Sequence, residues 1–122
     1  MRALKVPLIL LLALILLSCA SSFTKNAFDS LSISKETYSS TLSISGDLYK
    51  QGLMSEEQKN EAIKLGNAYK LVHNEAVSAL LNYKMLKDQN SKDHYLQSAA
   101  DVSARLANLL NYLRPIVIKK ED

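Results

Sequence analysis

One cysteine, two histidines and three glycines in 122 residues exclude several kinds of chemistry. With a single thiol there is no partner for a disulfide, so an exported domain made from this chain must be stable without one. Glycines at 46, 52 and 66 are too scattered to form a loop that cradles phosphate. His73 and His94 stand apart, and neither has a second imidazole or a carboxylate three or four residues away, the spacing that sets metal ligands on one helix face. No metal or other cofactor is therefore expected. Glu56, Glu57 and Glu61 crowd one helix start and read as capping and solvated charge, since paired catalytic carboxylates need burial to shift their pKa values. The seven serines between Ser30 and Ser45 have no matched base, which leaves nucleophilic catalysis without a triad. An enzyme is not expected.

What is present begins at the amino terminus. Met1-Arg2-Ala3-Leu4-Lys5 is a short positive stretch, and Val6 to Leu17 is an apolar run of 12 residues without charge. As a helix that run spans about 18 Å, against about 30 Å of bilayer hydrocarbon, so a cleavable export signal fits it better than a membrane span. Leu16-Leu17-Ser18-Cys19 follows, with a leucine three before the cysteine and a small residue just before it. This stretch resembles the lipobox of bacterial lipoproteins. The resemblance covers about the first 20 residues and concerns processing, not activity. It implies cleavage between Ser18 and Cys19, a diacylglyceryl group on the Cys19 thiol, and acylation of the new amino terminus with a chain such as palmitate. Two or more acyl chains make attachment to a membrane stable where one does not. In the sorting pattern of many Gram-negative lipoproteins, aspartate after the cysteine retains the protein at the inner membrane. Ala20 in that position implies the outer membrane, in a host that has one.

Arg2 and Lys5 leave with the signal, so residues 19–122 carry 13 basic and 12 acidic side chains, and the net charge falls from +3 to +1. No long Lys/Arg block remains to argue for nucleic acid. The expected organisation is a signal peptide over 1–18, a lipidated tether over 19–25, a helical domain over 26–118 and a charged tail over 119–122. The small polar stretch Ala20 to Thr24 would reach at most about 17 Å when extended, which keeps the domain beside the bilayer.

The fold class expected is all-α, an up-down-up antiparallel three-helix bundle. The first helix, about Asn26 to Gln51, carries Ala27, Leu31, Tyr38, Leu42 and Tyr49 on one face with Phe28 at its margin. Its serines make it a poor helix former by propensity. Leu31-Ser32-Ile33-Ser34 and Leu42-Ser43-Ile44-Ser45 each alternate as a strand would, but they lie 11 residues apart, about three helical turns, and so present one face twice. Gly52 followed by Leu53 is the pattern of a left-handed cap. Ser55-Glu56-Glu57-Gln58 has the spacing of a capping box and opens a second helix that runs to about Lys87. On it Ala62, Leu65, Tyr69, Val72, Ala76, Leu80 and Tyr83 face inward, flanked by Ala68, Val77, Ala79 and Leu86, a stripe wide enough for a middle helix with two neighbours. Ser91 with Asp93 reads as the start of a third helix, with Tyr95, Ala99, Val102, Leu106, Leu109, Leu110 and Leu113 inward. Pro115 should stop or kink it, leaving Ile116 to Ile118 as a last turn or as an extended strip.

Tyr69 and Tyr83 share one face of the second helix, 14 residues apart. Core packing is the ordinary role of such rings; aromatic anchoring of a partner is the sharper one, and these two are the candidate interaction residues. The functional expectation is a small non-enzymatic envelope lipoprotein, held to the membrane through the lipid on Cys19, that binds or scaffolds another envelope protein. The alternatives are a binder of a lipid, small molecule or metal between the helices, and a lysis or exclusion lipoprotein of the phage or plasmid type.

Overall fold

Capping residues decide where the helices of this chain end. In the computed structural model, which describes the backbone of residues 2–121 and the side chains of residues 22–119, α1 spans Arg2–Lys50, α2 spans Glu56–Leu86 and α3 spans Gln89–Glu121. The lipobox residues Leu16, Leu17, Ser18 and Cys19 lie outside the residues whose side chains are described. α1 closes on Gly52, which takes φ 75°. The Leu53 amide donates to the Leu48 carbonyl at 2.9 Å and the Gly52 amide to the Tyr49 carbonyl at 3.1 Å, the paired bonds of a Schellman motif. Ser55 then caps α2: its hydroxyl accepts from the Gln58 amide at 3.1 Å, while the Gln58 side chain takes the Ser55 amide at 2.9 Å. The expected capping box is formed.

The second turn is tighter than expected. Lys87 ends α2 in the left-handed region at φ 54°, and Asp88 caps α3 from just before its first residue. The Asp88 carboxylate accepts both the Ser91 amide at 2.8 Å and the Ser91 hydroxyl at 2.6 Å. Ser91, expected as the cap, is the third residue of the helix and is buried. Both residue types can cap, and the aspartate three positions earlier takes the role because its carboxylate reaches the amide that a cap must satisfy. The Ser91 bonds hold the Asp88 carboxyl below its ordinary carboxylate range.

Each short turn reverses the chain, so α1 and α3 both run antiparallel to α2. The molecule is the expected all-α bundle with α2 in the middle, sharing its larger interface with α3 and a thinner one with α1. Ala62, Tyr69, Ala76, Ala79 and Leu80 from α2 meet Leu31, Tyr38 and Leu48 from α1 and Tyr95, Val102, Leu109 and Leu113 from α3 in a single core. Every residue expected inward on α2 is buried or half-buried. Ile33 and Ile44 of the repeated tetrads both point outward, while Leu31 is buried and Leu42 half-buried, so the two copies present one face.

Several sequence expectations are corrected. The helix that was to begin near Asn26 is already formed at Ser22 to Lys25, and Phe23 packs on the core, so the described end of the expected tether belongs to the bundle. Tyr49 and Leu110, expected inward, are partly exposed, and Leu86 is well exposed. α3 continues through Pro115 to Glu121. Proline removes the amide that would bond the carbonyl of residue 111. Asn111 and Pro115 are both exposed, so water can take that carbonyl, and buried Leu113 and Ile116 hold the helix on either side.

Hydroxyls of the serine-rich α1 are satisfied partly within the helix and partly by neighbours outside it. Thr37 Oγ1 donates to the Ile33 carbonyl at 2.9 Å and Thr41 Oγ1 to the Thr37 carbonyl at 2.7 Å. Buried Ser45 donates to Met54 Sδ at 3.6 Å. Bonding back to the preceding turn lets short hydroxyl side chains enter a core without a partner from another helix.

Candidate functional site

Two aromatic clusters tie α1 to the other helices, and each sits beside accessible surface. The first lies midway along α1 and α2. Tyr38 and Tyr69 stack with ring centroids 4.4 Å apart, and the Tyr69 hydroxyl shares a 2.7 Å hydrogen bond with Ser34. His73, one turn on, tilts against Tyr69 at 5.6 Å and sets Nε2 3.2 Å from the Leu31 carbonyl. A carbonyl only accepts, so Nε2 is the nitrogen that carries a proton. The close approach of the helices needs Gly66: a Cβ there would stand 3.1 Å from Tyr38 Oη. Burial raises the pKa of both tyrosines. Proximity to Tyr69 raises Tyr38 further, and the Ser34 bond partly offsets the rise at Tyr69.

Along the outside of this cluster runs a solvent-open groove of about 810 Å³ between α1 and α2, with Tyr38, Leu42 and Tyr69 as its floor and Lys35, Lys70 and His73 at its sides. Its lining combines aromatic rings, hydroxyls and two exposed cations. A shallower depression of about 780 Å³ follows the α2–α3 seam past Asn74, Ser78 and His94. His73 and His94 thus sit on different seams. Among the described residues no group of three His, Cys, Asp or Glu side chains comes together as a metal site.

The second cluster closes the end of the bundle at the α2–α3 turn. Phe23 sits edge-on to Tyr83 of α2, with centroids 5.5 Å apart, and edge-on to Tyr95 of α3 at 5.9 Å. Lys92 Nζ lies 4.7 Å from the centre of its ring. Burial raises the Tyr95 pKa. At the opposite end Tyr49 donates a 2.7 Å hydrogen bond to Glu56, whose carboxylate also pairs with Lys59 at 3.1 Å; the tyrosine first and the lysine second hold the Glu56 carboxyl below its ordinary value.

Tyr69 and Tyr83, the candidate interaction residues, are therefore engaged inside the bundle. Tyr69 is 1% exposed and reaches a partner only as part of the groove floor; half-buried Tyr83 is packed on Phe23. Sequence reasoning missed Phe23, and the available signal was a lone aromatic in an otherwise small, polar stretch. It also missed Gly66, a glycine on the inner side of a strong helix pattern.

No protein-family model matches this chain, and neither a curated protein nor a solved structure matches it.

Proposed function

We propose that this chain is a small lipid-anchored envelope protein that acts by binding another envelope protein and not by catalysis. The observation that carries the reading is the junction between its two parts. The lipobox-like Leu16-Leu17-Ser18-Cys19 ends four residues before Phe23, a side chain locked between Tyr83 and Tyr95. Four residues reach at most about 14 Å, so an acylated Cys19 would hold the bundle against the membrane surface, where its partner must also be. Among the described residues no helix is long and apolar enough to cross a membrane, and a lipid anchor needs none. The binding half of the reading draws on exposed apolar pairs that share a helix face: Ile33 and Ile44 on α1, Leu96 and Leu110 on α3. Crosslinking in the native envelope tests it. One envelope protein should be captured, and Ile33→Ser with Ile44→Ser should lower that capture without lowering stability; capture unchanged by these and by Leu96→Ser with Leu110→Ser refutes this surface.

A second reading is favoured by the α1–α2 groove, whose aromatic floor and paired Lys35 and Lys70 suit a small anionic ligand. Native mass spectrometry of protein purified from its host should then show a bound mass that Lys35→Glu with Lys70→Glu removes. A bare chain mass counts against it.

A further inference from the structure

Met85 is the most exposed large apolar side chain of those described, at 82%, and Leu86 beside it is 58% exposed. Both sit at the end of α2 where the chain turns through Lys87 and Asp88 into α3. Two neighbouring apolar side chains this exposed contribute little to the core. Their setting indicates what covers them.

We infer that the α2–α3 end of the bundle is a bilayer-contact surface, with Met85 and Leu86 entering the lipid and Lys84, Lys87 and Lys92 meeting anionic headgroups. The inference rests on the lipid-anchor reading of Cys19 for its orientation. Phe23 packs between Tyr83, two residues before Met85, and Tyr95, six residues after the first residue of α3, so the chain enters the bundle at this end. Cys19 is four residues earlier and is confined to about 14 Å from Phe23 whatever path the chain takes. The acyl chains therefore enter the membrane beside Met85 and Leu86, and not at the Glu56 end of α2, which a 31-residue helix places about 46 Å away.

Charge points the same way. α2 opens on Glu56 and Glu57 and closes on Lys84 and Lys87, and Lys25 and Lys92 stand at the closing end as well. The acids there are Asp88, occupied by the Ser91 amide and hydroxyl, and Asp93, which accepts the Gln89 side-chain amide at 2.8 Å. Cations around an apolar tip are the pattern of side chains that settle at an anionic interface, with lysine stems lying along apolar surface and their ammonium groups in the headgroups. Lys92 Nζ stands 4.7 Å from the centre of the Phe23 ring, which places this cation at the same end.

The test uses the full chain, expressed with its own amino terminus and reconstituted in vesicles of phosphatidylethanolamine and phosphatidylglycerol. A nitroxide is attached in turn through Met85→Cys and, at the opposite end, Leu53→Cys. Collisions with a water-soluble relaxation agent should fall several-fold at position 85 relative to position 53, and collisions with oxygen, which concentrates in lipid, should rise. Lys84→Glu with Lys87→Glu should return position 85 toward the value at 53. One label per chain with position 85 as water-accessible as 53 overturns the bilayer surface and leaves the anchor standing. Two labels per chain mean that the Cys19 thiol is free; the anchor reading then fails, and a wet position 85 beside it overturns the surface too. Protection of position 85 in native envelopes but not in pure lipid assigns the cover to a protein and also overturns the proposal.

Discussion

Replacing Gly66 with alanine sets two effects of similar size against each other inside the α1–α2 contact. Gly66 is a buried residue in the interior of α2, where alanine favours helix by roughly 1 kcal/mol over glycine. The added methyl would stand 3.1 Å from Tyr38 Oη, 3.4 Å from Tyr38 Cε2 and 3.7 Å from Leu42 Cδ2. Relief requires the Tyr38 ring to recede by a few tenths of an ångström, but that ring is stacked at 4.4 Å on a buried tyrosine and is itself buried. Overpacking of this kind costs about 1–3 kcal/mol, so Gly66→Ala should destabilise the protein by about 1 kcal/mol. Tyr38→Phe removes the nearest atom and leaves contacts of ordinary length. In that background the same Gly66→Ala change should stabilise by roughly 0.5–1 kcal/mol, a reversal of sign within the range expected for touching residues. Urea unfolding of residues 19–122, followed by circular dichroism, measures all four corners of the cycle. If Gly66→Ala stabilises equally in both backgrounds, α1 does not approach α2 at this level and the described groove is wrong.

Three further outcomes are expected. Leu109, fully buried on α3, should cost about 2–5 kcal/mol when changed to alanine; a negligible loss in urea unfolding means that α3 presents another face. Pro115→Ala should stabilise by up to about 3 kcal/mol, because α3 runs through this position; a loss of helical circular dichroism signal would contradict a continuous helix. Tyr38, Tyr69 and Tyr95 have pKa values raised by burial, so their protons bind more tightly in the folded state. Their contribution to stability is fully present below about pH 10, the unfolded value, and is lost as pH rises through the folded values. The urea midpoint should therefore fall on the alkaline side, in step with tyrosine ionisation read by ultraviolet difference absorbance, and a midpoint flat through that range refutes the burial of these hydroxyls.

Much of α2 was legible because its stripe from Ala62 to Tyr83 repeats every three or four residues, and the Gly52 cap and the Ser55–Gln58 box are short-range signals whose partners lie within six residues. What was illegible depends on distant or ambiguous partners. Phe23 looks like part of a polar leash until Tyr83 and Tyr95, at least 60 residues away, are brought beside it. Thr41, Ser45, Ser91 and Ser98 are buried against the habit of their residue types, since each hydroxyl donates to a neighbour, two of them to their own helix's carbonyl four residues back. Asp88 and Ser91 are both capping residues three positions apart, and propensity alone does not rank them. Tyr69 was placed correctly on the inner side of α2. Its hydrogen bond to Ser34 and its stacking on Tyr38 follow from the register between α1 and α2, which no local pattern in either helix encodes.

The claim from which location, orientation and partner all follow is the conversion of Cys19 into the lipidated first residue of the mature protein. Mass spectrometry of the amino-terminal peptide from protein purified out of its host measures this directly. The expected result is a chain that begins at Cys19 with a diacylglyceryl group on the thiol, and an uncleaved, unlabelled precursor when Cys19 is replaced by serine. A mature chain that retains residues 1–18, or that carries an unmodified thiol, contradicts it.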